Sequence, residues 1–169
     1  MTENLNDLKP MAVGQKLEEA WLAHGEELFG YVLSFVVHKT DAEDVLQDVF
    51  LRLSKALTKG TVIKNLRSYL YSIGRNEAFR FIEKKKRNPL TSIDLDCILV
   101  SAPQGLVDEE LNVSQTLMSL PKEQREVIVL KLFQDFTFEE IGKITGVTLK
   151  TAASRYRYGL EKMGKGGQR

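Results

Sequence analysis

The side chains best suited to chemistry lie near the C-terminal end. In the stretch TFEEIGKITGVTLKTAASRYRYGLEKM, Lys150, Thr151, Ser154, Arg155 and Arg157 alternate short hydroxyls with long cations. Carried outward on one helix, such a set makes base-edge and phosphate contacts. A second basic run, Arg75–Arg87, holds six bases and two acids. There Arg75 and Asn76 precede Arg80, Lys84 and Lys85 by a turn or more. A ridge of this kind holds phosphates while an amide reads a base edge. Tyr69, Tyr71, Phe79 and Phe81 interleave with the bases; most read as core, leaving one at most to stack on an unpaired base.

The formal net charge of +1 conceals this arrangement. From Asp41 to Leu53 there are four acids and one base, and from Asn88 to Asn112 five acids and no base. From Lys143 to Arg169 there are seven bases and one acid. Any one block alone is read most simply as a solvated face. Two basic blocks separated by an acidic, base-free stretch point to a protein that grips a polyanion at two places.

Other chemistries are poorly supplied. One cysteine, Cys97, excludes a disulfide within the chain and a Cys-rich zinc site. Two histidines, His24 and His38, cannot build a multi-histidine metal centre. No nucleophile triad and no phosphate-cradling glycine loop is present. Neither a catalytic site nor a cofactor or metal is expected. The N-terminal MTENLNDLKP shows no secretory signal, and Leu28–Val37 is about half the length of a membrane span. A cytoplasmic protein without membrane insertion is the expectation.

The elements that must position these residues are helices. Leu17, Ala20, Trp21, Leu28, Tyr31, Val32 and Phe35 recur at three- and four-residue steps, predicting a helix over 16–38 after an aperiodic tail, 1–14. Thr40 precedes the acidic turn Asp41–Asp44, then Val45, Leu46, Val49, Phe50 and Leu53, which predicts a capped amphipathic helix. TKGTVI, 58–63, reads as a loop. Lys64 or Asn65 opens a third helix that ends in KKKRNP, stopped by Pro89. Residues 88–107 lack a period and read as a linker, with Cys97 inside it and no base nearby to activate the thiol.

Beyond it, Leu106–Leu120 reads as a helix, and Pro121 opens another whose buried stripe is Val127, Ile128, Leu130, Leu132 and Phe133. Thr137–Thr145 is a short helix broken by Gly146, and Thr148 caps a last helix ending near Met163. Ile141 and Ile144 face the core, Gly142 permits a close crossing, Gly146 takes a positive φ and Val147 plugs the gap. The architecture expected is all-α: two small helical domains, 15–88 and 107–169, joined by a flexible acidic linker, 89–106. The C-terminal domain is a helix-turn-helix.

With these blocks in view, the chain resembles the extracytoplasmic-function sigma factors of bacterial RNA polymerase, in the sigma-70 family, from about Leu28 to Met163. TDAEDVLQDVFLRL resembles the helix that docks on the polymerase clamp. LRSYLYSIGRNEAFRFIEKKKR resembles the helix that meets the minus-ten element, and LMSLPKEQREVIVLKLFQDFTFEEIGKITGVTLKTAASRYRYGLEKM the domain that reads the minus-thirty-five element. The three in this order are far more specific than any one alone. The resemblance implies that Asp41, Asp44, Gln47, Asp48, Phe50 and Leu51 meet the clamp of the largest polymerase subunits. It implies that Lys64, Asn65, Arg67, Arg75, Asn76, Arg80, Lys84 and Lys85 face the minus-ten element. Lys150, Thr151, Ser154, Arg155, Arg157 and Tyr158 would face the minus-thirty-five element.

The loop TKGTVIKN matches in position the family loop that captures a flipped-out base, a task that needs a loop because a rigid helix cannot wrap a splayed nucleotide. The acids Asp94, Asp96, Asp108, Glu109 and Glu110 would mimic nucleic acid along a polymerase channel, or simply be solvated. The sequence departs from the family pattern at Thr145, where leucine is common, at Ala152 and Ala153, at Tyr158, where a base is frequent, and at Arg80, where an acid is frequent. These bear on promoter preference. The implied partners are core RNA polymerase, promoter DNA and an anti-sigma factor, the last because no sensing domain follows GKGGQR. The alternative is a dimeric helix-turn-helix repressor or activator that is not a polymerase subunit.

Overall fold

Apolar residues at helical spacing need a partner face to bury against, and in this chain helices supply it to one another. The computed structural model describes residues 5–36, 38–87 and 115–166. The expected linker, its acids and Cys97 lie outside the described residues, as does the first part of the helix expected over 106–120. No strand occurs among the described residues. Two units form, Met1–Lys86 and Arg87–Arg169.

In the first unit, α1 runs Leu5–Val36, α2 Lys39–Thr58 and α3 Leu66–Arg87. The start of α1 corrects the expected tail over 1–14. Pro10 lacks an N–H, yet the helix continues through it. Ala12, Gly14, Gln15 and Lys16 are exposed and Val13 is half-buried, so 12–16 carries little apolar period to read. The start of α2 is also corrected: His38 is the N-cap, in extended backbone without a side-chain cap bond, and Thr40 lies inside the first turn. Trp21, expected on the buried stripe, is 51% exposed; its ring lies over Gly25 and edge-on to Phe50 at 5.1 Å.

The core of this unit joins Leu28, Tyr31, Val32 and Phe35 of α1 to Val45, Val49 and Leu53 of α2 and Leu70, Tyr71 and Ala78 of α3, all buried. Rings chain through it: Tyr31 meets Tyr71 at 4.9 Å and Phe35 at 5.0 Å, and Phe35 meets Phe79 at 5.3 Å. Gly74 lets α3 approach α1, since a Cβ there would stand 3.2 Å from Leu28 Cδ1. α2 ends in a Schellman turn: Thr61 N–H donates to Ala56 O, Gly60 N–H donates to Leu57 O, and Gly60 takes φ 73°.

In the second unit, residues 115–119 are helical. Then α4, Lys122–Ile128, opens at Pro121 and runs into a π-helical turn, Val129–Phe133. α5 spans Phe138–Thr145 and α6 Leu149–Gly166. The π turn changes the expected stripe. Its i→i+5 bonding puts more residues in the turn, with Val129 and Leu130 inward and Leu132 and Phe133 49% and 55% exposed. Phe136 takes the inner place instead, buried, with its N–H donating to Leu130 O.

Between α5 and α6 the turn is as the residue types require. Thr137 and Glu140 form a capping box at the start of α5. Gly146 ends it in left-handed backbone at φ 73°. Thr148 Oγ1 accepts from Thr151 N–H at 3.2 Å and so caps α6. Ile141 and Ile144 are buried. A Cβ on Gly142 would stand 2.7 Å from Val147 O, against backbone that cannot swing aside. Gly142→Ala is therefore expected to cost about 1–3 kcal/mol of unfolding free energy, read by urea denaturation of the full chain; an unchanged midpoint would refute the close crossing.

Candidate nucleic-acid and polymerase interfaces

On α2, Asp44, Gln47, Asp48 and Leu51 stand at i, i+3, i+4 and i+7 and are all exposed. They make a single stripe, three polar groups and one apolar. Phe50 is half-buried against Trp21 and lies at the edge of that stripe. A groove of about 630 Å³ between α1 and α2 is lined by Trp21, Leu22, Phe29, Leu46 and Gln47 among others, which adds apolar surface beside the acids. Asp41 stands apart: its Oδ2 pairs with Lys85 Nζ of α3 at 2.8 Å, and both side chains are partly buried. An ion pair inside the unit thus joins one residue expected to meet polymerase to one expected to meet DNA.

On α3, Asn76, Arg80 and Lys84 repeat every four residues and are exposed, with Arg87 in the next turn. These form the outward ridge. The other expected members serve the fold as well. Asn65 is exposed and caps α3, its Oδ1 accepting from Ser68 N–H at 2.9 Å. Arg67 pairs with Glu27 of α1 at 3.3 Å and lies over the Tyr71 ring. Arg75 lies over the Phe79 ring at 4.4 Å, and both are half-buried. Burial, opposed by Arg67, pushes the Tyr71 phenol above its ordinary range and keeps it neutral. Tyr71 is thus a core residue, while Tyr69, Phe79 and Phe81 are half-buried.

Lys64 is exposed in the loop before α3. Beside that loop a groove of about 600 Å³ is lined by Ala20, Ala23, Leu53, Leu57, Val62 and Ile63 among others. Val62 itself is 86% exposed.

On α6, Ala152 and Gly159 are buried, and Tyr156 meets the Phe138 ring edge-on at 5.4 Å. That face packs inward: a Cβ on Gly159 would stand 2.5 Å from Ile128 Cδ1. The helical repeat then places Lys150, Ser154 and Arg157 opposite the packed face and Thr151, Arg155 and Tyr158 along one flank. Lys150 and Arg157 are exposed and Arg155 half-buried. Arg157 also lies over the Tyr158 ring at 5.0 Å and within 4.0 Å of Glu161. The Thr151 and Thr148 hydroxyls are 2.9 Å apart, so Thr151 belongs to the cap as well as to the face.

Sequence reasoning missed Glu77. It is buried on α3 and paired with Arg52 of α2 and with Arg80. Only the approach of α2 to α3 reveals it. No group of His, Cys, Asp and Glu fit to hold a metal occurs among the described residues. None of the described helices is long and apolar enough to cross a membrane.

These features define a two-unit helical protein with a basic ridge in the first unit and a helix-turn-helix in the second. Residues 21–88 match the family model for sigma-70 region 2, and residues 110–163 that for sigma-70 region 4. The ECF RNA polymerase sigma-E factor of Escherichia coli is 30% identical over 139 residues, which cover 73% of this chain and 72% of that protein. RNA polymerase sigma factor SigV of Bacillus subtilis is 27% identical over 145 residues, 83% of this chain and 84% of that one. The fold is shared with the sigma factor RpoE of Bartonella quintana, solved with the anti-sigma factor NepR, at a TM-score of 0.74 and 23% identity, covering 90% of this chain and 96% of that one. CnrH, solved with the cytosolic domain of CnrY, gives 0.68 and 24% over 94% and 93% of the two chains. The chain belongs to the sigma-70 family, as an alternative RNA polymerase sigma factor of the extracytoplasmic-function group. The dimeric-regulator alternative is not favoured.

The Asp41–Lys85 pair has a measurable consequence. Asp41→Asn is expected to lower the unfolding free energy by about 1 kcal/mol or less, and Lys85→Met in the same background to cost little more, because the partner is already lost. Additive losses in urea denaturation would show that the two side chains do not interact.

Proposed function

We propose that the outward ridge of α3 meets the minus-ten element, that α6 meets the minus-thirty-five element, and that the acidic stripe of α2 docks on the polymerase clamp. The observation that carries this reading is the sorting of exposed side chains by helix. Asn76, Arg80, Lys84 and Arg87 give α3 an exposed face on which three cations outnumber one acid, Glu83, and Asp44, Gln47, Asp48 and Leu51 form a polar, acid-bearing face on α2. Acids repel DNA, so the α2 stripe suits a protein partner; cations and an amide suit a duplex. Residues 15–88 and 107–169 are the two functional domains, with 89–106 as the connection.

DNA opening then follows from differential binding. A state in which bases are unstacked gains contacts that the closed duplex lacks, and the equilibrium shifts toward it. The groove beside the 59–65 loop is where an extruded base would lodge. Control by an anti-sigma factor is supported by the two similar structures, each solved with an anti-sigma protein or the cytosolic domain of its partner.

The test is reconstitution with core RNA polymerase on a randomised promoter library, selecting templates from which initiation occurs. Specific initiation supports the reading; neither core binding nor initiation from any template refutes it. On a selected promoter, Arg155→Ala is expected to lose about 1–3 kcal/mol of binding at the upstream element; unaltered binding removes Arg155 from that contact. Asp48→Arg is expected to weaken core binding while the thermal unfolding curve stays in place; wild-type affinity in a competition assay with core enzyme would remove α2 from the clamp.

A further inference from the structure

Glu77 is an acid in the middle of a basic helix, and it is buried. Its side chain is 8% exposed, and Oε1 pairs with Arg52 Nε of α2 at 2.5 Å. Both of its oxygens accept from Arg80 Nη1 at 3.4 Å. A buried carboxylate is stable only when paired and hydrogen-bonded. Arg52 supplies the close partner and fixes the carboxylate; the fixed carboxylate then holds one nitrogen of Arg80. The Arg80 side chain remains 65% exposed, at the centre of the ridge between Asn76 and Lys84. An arginine on an exposed helix face otherwise samples many rotamers, and ordering it at the moment of binding carries an entropic cost. A tether on one nitrogen meets part of that cost in advance and leaves the rest of the planar fork for a phosphate or base edge.

We infer that Glu77 is a positioning residue for promoter binding, acting through Arg80 and anchored by Arg52 on the neighbouring helix. The inference rests on the reading of α3 as the DNA-facing helix. It makes a prediction opposite in sign to simple charge. Removing an anion from a DNA-facing ridge should strengthen binding to a polyanion. If Glu77 positions Arg80, removing it weakens binding instead.

The experiment uses the full chain assembled with core RNA polymerase, on a promoter selected as above, with affinity measured as a function of salt. Arg80→Ala is expected to weaken binding and to reduce the slope of log affinity against log salt by about one. Glu77→Gln is expected to weaken binding about fivefold, with a smaller slope. It should add nothing in the Arg80→Ala background. Glu77→Asp keeps an anion beside Arg52 while withdrawing from Arg80, so it covers the case in which Glu77→Gln fails to fold. It is expected to retain core binding and thermal stability and to lose DNA affinity. Tighter or unchanged DNA binding by either Glu77 variant, or an undiminished effect of Glu77→Gln without Arg80, overturns the inference. Absence of initiation by the wild-type holoenzyme instead overturns the DNA-facing reading of α3, so the two failures are distinct.

Discussion

Two ion pairs of opposite polarity join α2 to α3 beside the buried core of the first unit and match the register that the core requires. Asp41 of α2 meets Lys85, and Arg52 of α2 meets Glu77. The earlier residue of α2 pairs with the later residue of α3, which is the register of two antiparallel helices. A slip along either helix would leave charges without partners, and the partly buried positions make that costly. In this register the apolar stripe of α2 meets the core while the acids Asp44 and Asp48 face out. The basic ridge of α3 is turned away from the same core.

The second unit solves a related problem with backbone. A recognition helix must cross its supporting helix closely, and Gly142 provides the room by having no side chain. The capping box at Thr137, the left-handed Gly146 and the Thr148 cap fix both ends of α5 and the start of α6. The outward side chains are therefore presented by a rigid frame. Tyr156 against Phe138 and the absent side chain at Gly159 hold the opposite face of α6 inward.

Much of this was legible in the sequence because it follows from residue type at short range. The helices, the glycine turn and the outward cations of α6 all come from periodicity and local chemistry. The misreadings have local causes too. Thr40 is a good cap by type, but the chain turns into helix two residues sooner. Leu132 and Phe133 fit a regular helical stripe, and only the π turn moves them out. The T-x-x-E spacing of Thr137 and Glu140 carries the capping signal that starts α5. Glu77 was not legible: nothing near it in sequence says that Arg52 stands opposite. For the same reason Lys85, grouped with the DNA-facing cations, is partly committed to Asp41.

The loop between α2 and α3 is anchored at both ends by devices that do not involve its middle. Gly60 closes α2 in left-handed backbone, and Asn65 starts α3 with its own side chain. Val62 and Lys64 between them are exposed. Scaffold and variable surface are thus separated within a few residues. Substitutions at the exposed positions can accumulate at little thermodynamic penalty, while changes at the two anchors would redirect the entire connection. A protein built this way can diverge in what its loop touches long before it diverges in how it folds.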